Sequence, residues 1–158
     1  MSEIKIVAFM QNPWFPEGTQ KHHLDRYTTD QEFHRRVLAN TVSGRRLLES
    51  FGHPFFDRIW WDNVCPKATH RPDGQGTVDM MHVERVISEQ DPDLILTFGT
   101  LASEALQRSA GAIRRKVMHC HHPNARHRTQ REMSDFAITV MQWVREQEIL
   151  KMDVADES

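Results

Sequence analysis

Three polar side chains that could bind or activate a ligand stand directly after short apolar segments of the chain. Asn12 precedes Pro13 after the first segment, and His122 precedes Pro123 after the fourth. Proline fixes its own φ angle and restricts the residue before it, so both side chains are confined to a narrow range of directions. A confined amide can orient a water molecule, and an imidazole can donate a hydrogen bond to a substrate or to a developing oxyanion. The alternatives are an ordinary Asn-Pro turn and a structural histidine.

The third such side chain, Asn63, ends a segment rich in tryptophan and isoleucine. A side-chain amide presents one acceptor and two donors, which suits the edge of a nucleobase. The alternative is an Asx turn ahead of Pro66, in which the same amide would bond its own backbone.

The run His119-Cys120-His121-His122 raises the question of a metal site. In a strand, residues 119 and 121 point to one face and residues 120 and 122 to the other, so the four side chains do not converge. No further cysteine or carboxylate pair recurs at ligand spacing, and two cysteines fall short of the four that hold an iron–sulfur cluster. We therefore expect no metal ion and no cofactor.

Basic residues are concentrated in the loops that follow the apolar segments, although the net charge of the chain is −2. A nearly neutral protein with basic loops around a pocket fits a phosphate-bearing ligand. By contrast, Arg35, Arg36, Arg45 and Arg46 are expected on solvated helix faces. The loop residues in question are Lys21, His22, His23, Lys67, His70, Arg71, Arg126, His127, Arg128 and Arg131.

Four apolar segments have the length of β-strands, and each is followed by a segment with helical spacing. This alternation predicts right-handed crossovers and an α/β fold of three layers, α/β/α, with a four-stranded parallel sheet. The carboxyl ends of parallel strands share one edge, where ligands bind in open α/β sheets. Asn12, Asn63 and His122 are therefore expected around one pocket. The predicted strands are 4–10, 56–61, 94–98 and 116–120.

Capping and turn signals set the expected bounds of the helices. A loop is predicted over 16–28, and the capping box Thr29-Asp30-Gln31-Glu32 predicts a helix start. Thr77 is predicted to cap a helix that ends near Gln90 and buries Met81, Val86 and Ile87.

The 158 residues fit a single domain, predicted over 1–152, with a disordered acidic tail over 153–158. The last helix is predicted to end near Lys151. No apolar run approaches the roughly 18 residues of a membrane helix, and no signal peptide is recognised. Two cysteines do not make a disulfide framework. We expect a monomeric, cytoplasmic protein without membrane association.

Together these clusters resemble the motifs of the uracil-DNA glycosylase superfamily. Its first motif, Gly-Gln-Asp-Pro-Tyr or Gly-Ile-Asn-Pro-Gly, is similar to Met10-Gln11-Asn12-Pro13-Trp14. Its last motif, His-Pro-Ser or Asn-Pro-Ser, is similar to His122-Pro123-Asn124. Asp62-Asn63-Val64-Cys65-Pro66 resembles the strand end that carries a base-reading asparagine. Further similarity lies at 95–102 and 43–48.

The resemblance implies a monofunctional DNA glycosylase that hydrolyses the N-glycosidic bond of uracil or a related modified pyrimidine in DNA. The base would be flipped out of the stack, and Asn63 would read its Watson–Crick edge. Asn12 would position the attacking water, and His122 would stabilise the negative charge on the departing base.

The same resemblance implies the surroundings of the base and the contacts with DNA. Gln11, Trp14, Phe15 and Tyr27 would lie around the base, with Phe15 or Tyr27 as the stacking ring and Trp14 excluding the methyl group of thymine. The implied DNA contacts are Lys67, Arg71, Asn124, Arg126 and Arg128.

Three positions depart from the superfamily motifs. Met10 replaces a glycine, Asn12 replaces the aspartate of the most active branch, and Asn124 replaces a serine. An amide cannot act as a general base, so Asn12 must act by positioning, and slow chemistry is expected. These departures leave open a non-catalytic DNA or modified-base binding protein of the same fold. A nucleoside or nucleotide N-glycosidase, active without DNA, is also open.

Overall fold

The protein is represented by a computed structural model that describes residues 3–13, 15, 18–67, 69, 76–123 and 129–157. All sheet pairings are parallel, and the strand order is β2-β1-β3-β4. The predicted α/β fold, with a four-stranded parallel sheet flanked by helices, is confirmed. The strands are β1 (Ile6–Met10), β2 (Ile59–Asn63), β3 (Leu94–Phe98) and β4 (Lys116–Cys120).

The loop predicted over 16–28 is wrong from Lys21 onward, where the first helix begins. This helix has no side-chain cap at its start and buries only Tyr27, so its sequence carries little helical periodicity. The helices among the described residues are α1 (Lys21–Thr29), α2 (Gln31–Ala39), α3 (Val42–Phe51), α4 (His53–Phe56), α5 (Met80–Gln90), α6 (Thr100–Gln107) and α7 (Gln130–Glu157).

Strand β2 begins at Ile59 instead of Phe56, because the residues before it form the helical turn α4. Gly52 enters this turn with a φ angle of 78°, and Pro54 lies in its first turn, where a missing N–H removes no helical hydrogen bond. Phe56 is nevertheless buried and packs against Trp61, with ring centroids 4.9 Å apart. The apolar pattern therefore identified a core position but not its backbone conformation.

Capping side chains fix the starts of three helices. Asp30, Thr41 and Asp79 cap α2, α3 and α5, and each accepts a hydrogen bond from the backbone nitrogen three residues later. The cap of α5 is thus two residues beyond Thr77. Met81 is 84% exposed, so its predicted burial is wrong, whereas the buried Val86 and Ile87 confirm the predicted face.

Side chains of β1 point alternately to the two faces of the sheet, so they divide between two layers of the core. Ile6, Ala8 and Met10 pack with residues of α3 and α7, whereas Val7 and Phe9 pack with residues of α5 and α6. All five are buried, as expected for a parallel strand covered on both faces.

Helices α2 and α3 come into close contact at Gly44. A Cβ atom at this position would overlap the carbonyl group of Leu38, so only glycine fits. The contact fixes the turn between the two helices, and this turn forms one wall of a cavity at the carboxyl edge of the sheet.

Gln31 of α2 bonds the outer edge of β2 at one residue, Trp61. Its amide nitrogen donates to the carbonyl oxygen of Trp61 at 3.1 Å, and its Oε1 accepts from the backbone nitrogen of the same residue. The backbone N–H and C=O of Trp61, which face away from β1, therefore both have a hydrogen-bond partner.

Helix α7 is longer than predicted. It extends to Glu157, so residues 153–157 are helical and do not form the predicted disordered tail. Its buried positions, including Ala137, Val140 and Val144, lie on one side only. No helix in the described ranges is both long and apolar enough to cross a membrane.

Candidate functional site

A cavity of about 480 Å³ lies at the carboxyl edge of the sheet. Asn12 follows β1, Asn63 ends β2 and His122 follows β4, and all three side chains line this cavity, as the strand-end pattern predicts. The turn between α2 and α3 forms the opposite wall. The predicted site residues that line the cavity are Gln11, Asn12, Phe15, Tyr27, Asn63 and His122.

The backbone below the cavity continues the sheet beyond its assigned strands. The nitrogen of Val64 donates to the carbonyl oxygen of Met10, and the nitrogen of Cys65 donates to that of Gln11, both at 2.9 Å. The residues between the strand ends and the loops are therefore held in register, which fixes the base of the cavity.

The Asn12 amide joins the loops that follow β1 and β2. Its Nδ2 donates to Thr69 Oγ1 at 3.2 Å, and its Oδ1 accepts from the backbone nitrogen of Gly76 at 3.3 Å. Backbone bonds Phe15 N to Thr69 O and Thr69 N to Pro13 O, both 3.0 Å, reinforce the same junction. Asn12 is thus positioned by contacts on both ends of its amide.

Gly76 can reach Asn12 only because it has no side chain. A Cβ atom there would lie 2.8 Å from Cβ of Cys65 and 3.3 Å from Cβ of Asn12, and the first of these separations is closer than carbon atoms pack. In the sequence Gly76 stands out only as a turn former, since its partner is 64 residues away.

Asn63 is buried, and a hydrogen bond to Tyr27 orients its amide. The Nδ2 of Asn63 donates to the hydroxyl oxygen of Tyr27 at 3.3 Å. The Tyr27 ring stacks on His34, with centroids 3.9 Å apart, and meets Phe15 edge-on at 5.2 Å. Burial raises the pKa of Tyr27, so the hydroxyl stays protonated at neutral pH.

These contacts separate the two candidates for the stacking ring. Tyr27 is only 7% exposed, and one of its faces is covered by His34. Phe15 is half-buried and lines the cavity at the end of the first loop. Of the two rings, Phe15 is therefore the better placed to contact a ligand in the cavity, whereas Tyr27 supports Asn63.

Asp62, the residue before Asn63 in β2, fixes the backbone of Asn63. Its Oδ1 accepts from the backbone nitrogen of Asn63 at 2.8 Å and from Nε2 of His82 at 2.7 Å. The Nδ1 of His82 lies 3.2 Å from a guanidinium nitrogen of Arg85, so the imidazole bridges a carboxylate and a cation.

His122 lies over Gly99, the residue that follows β3. The φ angle of Gly99 is 94°, which favours glycine, and a Cβ atom there would be in ordinary contact with His122, 3.4 Å from its Cβ. Burial, and to a smaller extent the neighbouring His121, lowers the pKa of His122. The imidazole is therefore neutral at pH 7 and can donate one hydrogen bond.

Two arginines expected on solvated helix faces bond the backbone near the cavity. Arg45 lines it, and its Nε donates to the carbonyl oxygen of Thr41 at 3.3 Å. Arg46 donates to the carbonyl oxygen of Pro123 at 2.6 Å and thereby ties α3 to the loop that carries His122. Helical spacing alone does not reveal these contacts, because they depend on where α3 lies over the sheet edge.

Only one of the predicted DNA-contacting residues, Lys67, is among the residues that the structure describes. Lys67 is exposed and lines a smaller cavity beside the first. The remaining predicted contacts and the thymine-excluding ring lie outside the described residues; they are Trp14, Arg71, Asn124, Arg126 and Arg128.

The run His119 to His122 spans the end of β4, which stops at Cys120, and its side chains have different neighbours. His119 Nδ1 lies 3.0 Å from Thr97 Oγ1 and His121 Nδ1 lies 3.5 Å from Cys120 Sγ, whereas His122 lines the cavity. Within the described ranges, no three histidine, cysteine, aspartate or glutamate side chains converge as a metal site would require.

A larger cavity of about 780 Å³ lies at the opposite, amino-terminal edge of the sheet. Three of the charged residues in its lining form ion pairs: Lys151 with Asp93 at 3.4 Å, and Arg115 with Asp91 at 2.8 Å. It contains none of the predicted site residues, so we give more weight to the smaller cavity, where the strand-end side chains converge.

No protein-family model matches the sequence, and no curated protein matches it significantly. The functional assignment therefore depends on the geometry of the cavity at the carboxyl edge.

Proposed function

We propose that this protein is a monofunctional DNA glycosylase of the uracil-DNA glycosylase type, which releases uracil or a related modified pyrimidine from DNA. The observation that carries the proposal is the convergence of Asn12, Asn63 and His122, from three different strand ends, on one cavity of about 480 Å³. A cavity of this size accommodates a nucleoside, since ligand sites of roughly 300–1,000 Å³ are typical.

The reaction would break the bond between the sugar C1′ and N1 of the base. The bonding electron pair leaves with the base, so negative charge gathers on the pyrimidine and positive charge on the sugar. Water then adds to C1′ and releases a proton. A site for this reaction has to hold the base, stabilise its developing charge and position one water molecule.

His122 would stabilise the departing base. Because its pKa is lowered, the imidazole is neutral and donates one N–H toward the pyrimidine oxygen on which charge develops. Such a donor acts mainly in the transition state, where the acceptor becomes an anion, and removing one typically costs about 10²- to 10³-fold in rate.

Asn63 and Phe15 would hold the base. With one N–H of its amide bonded to Tyr27, Asn63 has its Oδ1 and its second N–H left to bond the base edge. Phe15 would stack on the ring of the base, as aromatic side chains do with unstacked bases.

Asn12 would position the attacking water through its Oδ1. The amide cannot remove a proton, so its contribution is orientation, and the hydrogen bonds to Thr69 and Gly76 supply the rigidity that orientation requires.

The decisive experiment is single-turnover release of uracil from labelled single- and double-stranded oligonucleotides. His122→Ala should lower the rate about 10²- to 10³-fold with little change in DNA affinity. Asn63→Ala should weaken recognition and rate together, because the base edge is left unread. If the wild type releases no pyrimidine from any substrate, including 5-hydroxymethyluracil and mismatched thymine, the enzymatic proposal should be abandoned.

The second candidate is a non-catalytic protein that binds DNA or modified bases through the same cavity. The observation in its favour is that both ends of the Asn12 amide already bond other residues, which suits a structural role. It predicts tight, base-dependent DNA binding without release of any base.

For localisation we propose the cytoplasm. The two cysteines, Cys65 and Cys120, are buried and form no disulfide, which suits a reducing compartment.

A further inference from the structure

A second cavity of about 320 Å³ shares a wall with the proposed base site. Pro13, Phe15 and Tyr27 line both cavities. A group bound in the second cavity would therefore share these three residues with the base in the first.

The lining of the second cavity suits a nucleobase. It is mainly apolar, with Leu24 and Pro66 beside the shared rings, and apolar or aromatic walls are the surfaces on which unstacked bases pack. The lining also contains Thr28 and two exposed charged residues, Asp25 and Lys67. Neither side chain forms an ion pair with another described residue, so both can contact a ligand.

The two charges differ in what they can recognise. A lysine ammonium contacts backbone phosphates without regard to sequence. A carboxylate only accepts hydrogen bonds, and its partner on a base is an exocyclic amino group. Cytosine, adenine and guanine carry such a group, and thymine does not.

We propose that this second cavity binds the nucleobase adjacent to the excised one on the same strand, and that Asp25 selects a base with an exocyclic amino group. The inference rests on the glycosylase function proposed for the first cavity. Because the neighbouring base must also leave its stack, the substrate is single-stranded DNA, in which no second base pair has to be broken.

The test uses single-stranded oligonucleotides with one uracil, in which the 5′ or the 3′ neighbour is adenine, cytosine, guanine, thymine or unsubstituted purine. Single-turnover release and fluorescence anisotropy with a non-cleavable 2′-fluoro analogue are measured for each. On one side of the uracil, the affinity and the rate of release should be roughly tenfold higher with adenine than with purine as the neighbour. They should likewise be roughly tenfold higher with cytosine than with thymine. Purine has the ring of adenine without its amino group, so this pair isolates the hydrogen bond.

Asp25→Ala should abolish these preferences, and Asp135→Ala is the matched control. Both aspartates are exposed on helices, and the carbonyl oxygen of each accepts from a threonine four residues later. Lys67→Ala should lower affinity equally for every neighbour. A wild type indifferent to its neighbours, or a preference that survives Asp25→Ala, would overturn the proposal.

The two measurements separate this inference from the function on which it rests. Neighbour-dependent binding without release of uracil would reject the glycosylase and keep the second base site. Release of uracil without any neighbour preference would keep the glycosylase and reject the second base site. Absence of DNA binding would reject both.

Discussion

The rings of Tyr27 and His34 stack with their centroids 3.9 Å apart and an interplanar angle of 22°. The Nδ1 of His34 also donates to the carbonyl oxygen of Tyr27 at 3.3 Å. Since the hydroxyl of Tyr27 holds the amide of Asn63, the histidine is part of the support of the candidate site.

This buried histidine should make the stability of the protein depend on pH. Burial, partly offset by the charge of Asp62, lowers the pKa of His34 from 6.5 to about 4. Between these values the unfolded chain binds a proton that the native state does not, so stability falls as the pH decreases from about 6.5 to about 4. From pH 7 to pH 5 the expected loss is about 2 kcal/mol.

His34→Phe keeps a ring against Tyr27 but removes the titration, so its free energy of unfolding should change less over the same range. Urea denaturation at each pH measures this, with the exposed His53→Gln as the control for loss of a histidine. Equal pH dependence in the wild type and His34→Phe would contradict the prediction.

Gly99→Ala should displace His122. The φ angle of 94° is strained for alanine by about 1–3 kcal/mol, and relief of this strain would shift the backbone that packs against His122. We expect lower stability and a rate of uracil release that approaches that of His122→Ala. Gly18→Ala is the control, because its φ angle is 87° but no atom lies within 4 Å of the new Cβ. The assignment of His122 fails if both variants retain full activity.

Asn12→Asp should retain or increase activity if the protein is a glycosylase. The carboxylate can still accept from Gly76, and the hydroxyl of Thr69 can rotate to donate to it. A carboxylate can also act as a general base, which the amide cannot. Asn40→Asp places the same charge on another wall of the cavity and should give no gain. A well-folded but inactive Asn12→Asp variant would favour the binding protein.

Gly44→Ala should destabilise the fold, because the new Cβ atom would overlap the carbonyl group of Leu38. Forced separation of α2 and α3 is expected to cost roughly 1–3 kcal/mol. Ser43→Ala, one residue earlier on the same helix, provides the control. A urea midpoint for Gly44→Ala equal to that of the control would show that the helices can move apart freely.

The sheet and the convergence of its strand ends could be predicted because apolar runs, polar ends and connection lengths are local properties of the sequence. The partners of Asn12 could not, since Thr69 and Gly76 are 57 and 64 residues away and bond it through loops without a periodic pattern. Arg46 carries the ordinary signature of a solvated helix face, and only the position of α3 places its guanidinium against Pro123.

The helix around Tyr27 was missed for a different reason. Lys21, His22 and His23 at its start are charged or polar, no side chain caps it, and a single buried residue gives no periodicity. Its conformation is fixed by tertiary contacts of Tyr27 with Phe15, His34 and Asn63, which override weak local preferences.

The bidentate contact of Gln31 with Trp61 has a consequence for association between copies of the protein. A side-chain amide carries the same donor and acceptor as a peptide unit, so at this point it occupies the position that a fifth strand would need. Unsatisfied edge strands are where sheets recruit further chains and aggregate. On the far side of the sheet, Lys116, Val117 and His119 of β4 are exposed, so growth by strand addition would have to begin there.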